Sequence, residues 1–467
     1  MRTLSLALRN LLRNRRRSLT TLIAMVIGLV TVLIFGAYTR HITYALTTGY
    51  VLRSGHLQVQ RQGYFLYGTG NPAAYGITRY APVIDTIVHD PVLAPMVVVA
   101  TPQLSFNGIA GNFASGVSHT VFGTGAIAAD RNRMRQWNEY GMPWRIRKTP
   151  LTDSASDTAM VGLGVARILE LCEPLRVSGC TPRPRAGAAA SAPPAPDDIA
   201  ALSAQEMPSR ASESASDGAV RIELLAATVR GVPNIASLRV VRAEPQGFKE
   251  IDDMFIGLHL DQAQRLVYGA EAPGATAVVV LLEHTDQLDA AKARLQQLID
   301  TTLKEEPLEV QDFATLNPLY GQALAMFATI FAFMAVLIGA IVLFTVGNTM
   351  SMAVVERTTE IGTLRAMGVR RSGIRRMFVC EALLLGIAAV AIGLATAVAV
   401  AWVVNHSGLT WLPPGQVQPA PLAVRLWGEH DLLLGTALVL VLIAVLSAWW
   451  PARRAGRMVI IDALRHV

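Results

Sequence analysis

Four stretches of this sequence, residues 19–38, 323–346, 382–404 and 432–450, contain no Asp, Glu, Lys, Arg or His. A bilayer core of about 30 Å is crossed by about 20 apolar residues in a helix, because inside lipid each backbone polar group must be paired within its own segment. Each run meets that length. Core helices of a soluble protein are the competing reading, but four such runs, each bounded by charge, favour transmembrane spans. The 52% hydrophobic and 16% charged composition agrees, since a soluble enzyme of 467 residues carries more charge.

Lys and Arg resist translocation, so the short flanks rich in them mark the cytoplasmic side. Arg2, Arg9, Arg13, Arg15, Arg16 and Arg17 precede the first run, Arg357, Arg365, Arg370, Arg371, Arg375 and Arg376 lie between the second and third, and Arg453, Arg454, Arg457 and Arg465 follow the fourth. These segments hold 16 of the 41 basic residues against Glu356, Glu360, Glu381 and Asp462, a local excess of 12. The remainder, 25 basic and 30 acidic, is net −5. The overall +7 is therefore a topology signal and not a nucleic-acid footprint. Both termini read as cytoplasmic. A basic stretch before an apolar run also describes a secretory signal peptide, but this run is long for one and no small-x-small site follows, so it reads as an uncleaved anchor.

The fold class is then a membrane α-helical protein of four transmembrane helices, with a large mixed α/β extracytoplasmic domain between the first and second. Residues 1–17 are expected to form an amphipathic cytoplasmic elbow helix, with Leu4, Leu8, Leu11 and Leu12 on one face and Arg2, Arg9, Arg13 and Arg16 mostly on the other; a disordered basic tail is the alternative. Spans occupy 18–39, 322–347, 379–404 and 431–450. The outer domain is 40–321, a cytoplasmic coupling region is 348–378, a second outer loop is 405–430 and the cytoplasmic tail is 451–467.

Within the outer domain, Gly55 to Gln60, Val97 to Ala100, Val220 to Leu224, Leu238 to Val241, Ala277 to Leu282 and Leu308 to Val310 read as strands. Thr285 to Leu303 spaces Leu288, Ala291, Leu295 and Leu298 as a helix does, giving strand, helix, strand near the domain's end. Residues 181–218 are rich in Ala, Ser and Pro and are expected to be a disordered insertion, unable to bury enough surface to offset the entropy of ordering. Cys172 and Cys180 precede it; an oxidising compartment would let them close a disulfide, with two unrelated thiols as the alternative. Cys380 falls at the cytoplasmic membrane edge and is expected to stay reduced.

No GxxxxGK[ST] phosphate loop occurs, so nucleotide hydrolysis must be done by another polypeptide. The nine histidines are scattered, with no HExxH, no CxxC and no Ser/His/Asp grouping, and His56 and His259 read as packing or surface residues. No catalytic, cofactor-binding or metal-binding residue is assigned. The informative segment is 352–371, which should continue the second span as a helix and stop at Gly368, with Ser372 capping the next helix. Glu356, Glu360 and Arg365 beside Ile361, Leu364 and Met367 offer charge and apolar contact to a cytoplasmic partner; a plain solvated loop is the alternative.

The stretch ERTTEIGTLRAMG (356–368), followed by a basic turn and a new span, resembles the coupling region of the FtsX-like permeases, the group that includes MacB and the LolC and LolE lipoprotein-release subunits. Arg9-Asn10-Leu11-Leu12-Arg13-Asn14-Arg15-Arg16-Arg17 before the first span, Pro451-Ala452-Arg453-Arg454-Ala455 after the last, and Asp462-Ala463-Leu464-Arg465 near the end are similar to that family's other hallmarks. The resemblance implies a MacB-like periplasmic domain at 40–321, an inner-membrane location, pairing of two permease chains as a homo- or heterodimer, and a cytoplasmic ABC ATPase docked on the coupling helix. ATP and Mg would act only through that partner. Glu356, Glu360, Ile361, Gly362, Arg365, Ala366, Met367 and Gly368 are the ATPase-coupling residues it points to.

In the third span Ala389, Gly393, Ala397 and Ala401 recur every four residues, a small-residue face suited to close helix packing, unless the span is simply Ala-rich. The spans hold almost no polar side chains, so a hydrophilic substrate path across the bilayer has nothing to line it. The reading is a dimeric permease in which ATP-driven motion, passed through the membrane as mechanotransmission, reshapes the outer domain to move or extract an amphipathic cargo: a lipoprotein, a lipid or a hydrophobic compound. A signalling scaffold that activates a periplasmic partner such as a cell-wall hydrolase is the alternative, and a membrane-anchored enzyme whose groups meet only in the folded outer domain is a third.

Overall fold

The computed structural model describes residues 7–460 except 8, 10, 12, 14, 144–146, 178–179, 181–219 and 413–418. The expected insertion at 181–218, the tail motif Asp462 to Arg465, and Arg2, Leu4, Leu8, Asn10, Leu12 and Asn14 of the elbow lie outside the described residues. The chain divides into two units: residues 1–45, 322–411 and 421–467 make unit 1, and residues 46–321 with 412–420 make unit 2.

From the N-terminus, α1 (Arg15–Ser54) leads to β1 (Leu57–Arg61), α2 (Tyr80–His89), β2 (Val97–Asn112) and β3 (Val117–Ala126). Then come α3 (Ala128–Arg135), β4 (Thr158–Gly162), β5 (Arg221–Ala227), β6 (Pro233–Glu244) and β7 (Phe255–His259). Unit 2 continues with α4 (Leu260–Tyr268), β8 (Ala277–Leu282), α5 (Leu288–Thr301) and β9 (Leu308–Asp312), after which α6 (Pro318–Glu356), α7 (Thr358–Ala366), α8 (Arg371–His406) and α9 (His430–Arg457) follow.

α1, α6, α8 and α9 are each long and apolar enough to cross a membrane. The first is much longer than its charge-free run, because nothing after Tyr38 breaks the helix until Gly55, which adopts φ +71. In unit 1, Met25, Leu29 and Leu33 of α1 pack with Val342 and Val346 of α6, Leu385 and Ala389 of α8, and Leu440 and Ala444 of α9. The small-residue face of α8 is consumed inside the chain: Ala389, Gly393, Ala397 and Ala401 are all buried, and a Cβ on Gly393 would stand 2.6 Å from Leu29 Cδ2. α6 is the opposite, with Phe333, Val336 and Phe344 among many apolar side chains turned outward, the surface a hydrocarbon solvent covers.

Unit 2 is organised by β2, which is 16 residues long and serves two bodies. Its first half pairs with β8 and its second half with β5 on one side and β3 on the other. From β3 the pairing runs through β7, β4 and β6 to β5, so six strands close into a ring. Leu104, Phe106, Val121, Val161, Leu224, Leu238, Ile256 and Leu258 form its packed core, with Ala263, Leu266 and Val267 of α4 against it. β3 was invisible to alternation because it carries Gly123 and Gly125. A Cβ on Gly123 would sit 2.0 Å from Phe106 Cζ, so the glycine is what lets the phenylalanine fill the ring. Gly123→Val should therefore destabilise the protein by about 1–3 kcal/mol or more, read as a lower denaturation midpoint, because the core there has no room to expand.

The second body of unit 2 is β8, α5 and β9 with β1 between the two strands and antiparallel to both. Leu57 and Val59, Val278, Val280 and Leu282, Val83 and Ile87 of α2, and Ala291, Leu295, Leu298 and Ile299 of α5 form its core. Arg294 of α5 grips the carboxylate of Asp90 at the end of α2 through Nη2 at 2.7 Å and Nε at 3.1 Å, which holds the Asp90 carboxyl below its usual range.

His56 enters β1 fully buried, its ring edge-on to Trp137 and Phe313. Its Nδ1 accepts the Leu282 N–H at 3.1 Å, which leaves the proton on Nε2, facing Thr285 Oγ1 at 3.3 Å. Burial pushes the imidazole down to about 3. The folded state thus refuses a proton that the unfolded chain takes up below about pH 6.5, so this contribution to stability is full above that pH and is lost progressively as pH falls toward 3. Unfolding followed by Trp137 fluorescence should show that loss, and His56→Gln should flatten it while lowering stability at neutral pH.

Candidate coupling site

The arginine-rich end of unit 1 is built where α6 gives way to α7. The helix expected to run unbroken to Gly368 instead stops at Glu356, and Arg357 sits outside helical geometry at φ −105, ψ 21. Two side chains account for the break. Thr358 Oγ1 donates to the Val355 carbonyl at 2.7 Å, taking an acceptor from the helix ladder, and Arg357 turns inward to Glu381 of α8 at 2.9 Å. Both members of this ion pair are buried, with side chains 5% and 3% exposed. A pair so enclosed fixes where α6 ends and α8 begins.

α7 then lies on a small apolar core of its own. Ile361 is buried with Val354, Ile374 and Phe378, and with Ala452 and Ala455 from the end of α9, while Leu364 packs at the edge. Arg365 Nη1 donates to the Met458 carbonyl just past α9. Gly368 closes the segment in the left-handed region at φ +94. The cap expected from Ser372 is absent: α8 begins at Arg371 with extended Arg370 at the cap position and no side-chain cap hydrogen bond.

The eight residues expected to meet a partner therefore separate. Ile361 and Gly362 are buried, and Arg365 is half-buried and committed to Met458, so these three shape the platform and do not present themselves. Glu356, Glu360, Ala366, Met367 and Gly368 are exposed. Met367 is 70% exposed, and the surface gains Val355 at 62% and Met352 at 54%, residues that spacing alone did not single out.

The two glutamates are also engaged within the chain. Arg17 Nη1 meets Glu356 at 2.5 Å and Arg13 pairs with Glu360. Leu11 packs on the unit 1 core while Arg9 and Arg13 face outward, so the described elbow residues follow the expected amphipathic division. The segment thus exposes three apolar side chains, Met352, Val355 and Met367, together with the anchored carboxylates of Glu356 and Glu360 and the guanidiniums of Arg370, Arg371, Arg375 and Arg376.

Elsewhere, His259 Nε2 meets Ser154 Oγ at 3.0 Å, and no group of three His, Cys, Asp or Glu side chains converges among the described residues. Cys172 and Cys180 are joined as a disulfide, and Cys380 is a free thiol.

Residues 329–460, which contain this whole platform, match the family model described as FtsX-like permease C-terminal. That region is FtsX-like, and the chain is similar to the FtsX-like, MacB-like ABC transporter permeases. It is 25% identical over 231 residues to an uncharacterised ABC transporter permease of Methanocaldococcus jannaschii, covering 49% of this chain and 54% of that one. It is 26% identical over 196 residues to the macrolide export ATP-binding/permease protein MacB of Rhodopirellula baltica, covering 40% and 26%, and 35% identical over 144 residues to the ABC transporter permease YtrF of Bacillus subtilis, covering 28% and 30%. The permease thus spans about half or less of the length of these curated relatives.

Proposed function

We propose that this permease is the membrane subunit that converts ATP hydrolysis by a separate cytoplasmic ABC ATPase into movement of its unit 2, which acts on an amphipathic cargo outside the inner membrane. The observation that carries this reading is the division of the coupling segment: Ile361 and Arg365 lock α7 to α8 and to the end of α9, Gly362 is buried, and Met352, Val355, Ala366 and Met367 are exposed on the same segment. A partner pressing on the bare side moves a lever whose other side is the helix bundle. Arg357 and Glu381 join that lever to α8, so displacement of α7 reaches the spans directly.

In this reading the arginine-rich end is cytoplasmic, unit 2 lies in the periplasm and two permease chains pair in the membrane. The bundle's buried side chains are almost wholly apolar, which suits transmission of force better than passage of a hydrophilic solute. The chain itself hydrolyses nothing. A lipoprotein, lipid or hydrophobic compound drawn from the outer leaflet is the cargo class that such a machine handles. Purification of the native complex from membranes with mass spectrometry of bound proteins tests it: an ABC ATPase should accompany the permease in stoichiometric amount, and its consistent absence would overturn the proposal.

A further inference from the structure

A cavity of about 330 Å³ opens between α1, α6 and α9 within unit 1. Its walls are Leu29, Val32, Phe331, Ile338, Val439 and Ile443, and at one end stand Arg40 of α1 and Asp431 in the first turn of α9. Water gains nothing from such walls, whereas a hydrocarbon chain makes dispersion contacts along their whole length. A hydrocarbon chain is the occupant a bilayer supplies.

The charged end narrows the headgroup. Arg40 Nη1 is held by Glu429, whose side chain is 5% exposed, leaving Nη2 and Nε of the guanidinium to donate to a phosphate. Asp431 is exposed beside it and can accept hydrogen bonds from an ammonium. A cation and a carboxylate on one rim complement a zwitterion bearing N–H donors. A choline headgroup has no such donor, and a glycerol headgroup leaves Asp431 facing the lipid's own negative charge. Gly435 lines the cleft with nothing within 4 Å of where its Cβ would stand, so the groove is open there rather than closed by packing.

We infer that this cleft is a binding site for one acyl chain of an ethanolamine phospholipid, its phosphate on Arg40 and its ammonium on Asp431. The inference takes from the proposed function only that the Arg40 end of unit 1 lies at the outer leaflet. Native mass spectrometry of the full chain, offered equal amounts of ethanolamine, choline and glycerol phospholipids in mixed micelles, is the test. The wild type should retain the ethanolamine lipid roughly ten-fold over the other two, the discrimination expected of one charge-assisted contact. Asp431→Asn should erase that preference without loss of folding, and Gly435→Trp should empty the cleft. Equal retention of all three lipids by the wild type marks ordinary annular lipid and overturns the inference, as does an unchanged preference in Asp431→Asn. Should Gly435→Trp not fold, Asp431→Asn decides alone. An inverted topology would overturn the leaflet assignment and leave the lipid preference standing, so the two fail separately.

Discussion

Removing either half of the Arg357–Glu381 pair is expected to lower the stability of the permease by about 3–5 kcal/mol, the cost of leaving a buried charge without its counterpart. Arg357→Ala takes the Nη1 donor away from the buried Glu381 carboxylate, and Glu381→Ala takes that carboxylate away from the buried Arg357 guanidinium. The paired replacement Arg357→Met with Glu381→Leu should recover most of that loss, because two apolar side chains of similar length need no partner. Thermal unfolding of the detergent-solubilised protein measures both. The double variant should nevertheless couple ATP hydrolysis poorly, since the α7 lever would no longer be pinned to α8.

The second large effect falls on the bare face of the coupling segment. Met367→Asp and Val355→Asp each place a charge where a partner must bury apolar surface, and each should weaken ATPase association by about 2 kcal/mol or more, roughly 30-fold. Because both side chains are exposed, folding stability should stay within about 0.5 kcal/mol of wild type. Ile361→Asp is the contrasting case, since Ile361 is 1% exposed and a charge there would dislodge α7 itself, lowering stability and ATPase association together. Co-purification and thermal unfolding of the three variants separate contact from support. Glu360→Lys adds a repulsion with Arg13, so its effect would report the elbow as well as the partner.

Much of this architecture was legible in the sequence because its signals are local. A run without charge names a span by length alone, and Ala277 to Leu282 was read to the residue because a buried central strand is apolar throughout. The strand, helix, strand order of β8, α5 and β9 followed from spacing for the same reason. What escaped depends on partners distant in sequence. β3, β4 and β7 are short or glycine-bearing strands whose identity comes from closing the ring around Phe106, and β2 extends past Gln103 because β3 and β5 flank its second half. In the coupling segment, resemblance pointed to eight residues as a group, yet sequence could not say which way each one faced. That is decided by Ala452 and Ala455, roughly 90 positions later, and by Met458, whose carbonyl holds Arg365.

The central claim is that a membrane separates a force-receiving face at α7 from a working face in unit 2, and single-cysteine labelling of intact cells tests it most directly. With Cys380 changed to Ser, the exposed positions Thr363 of α7 and Ser118 of β3 can each carry one new thiol. A membrane-impermeant maleimide should modify Ser118→Cys in intact cells and reach Thr363→Cys only after permeabilisation. Labelling of Thr363→Cys with protection of Ser118→Cys would place the two faces the other way round and contradict the account.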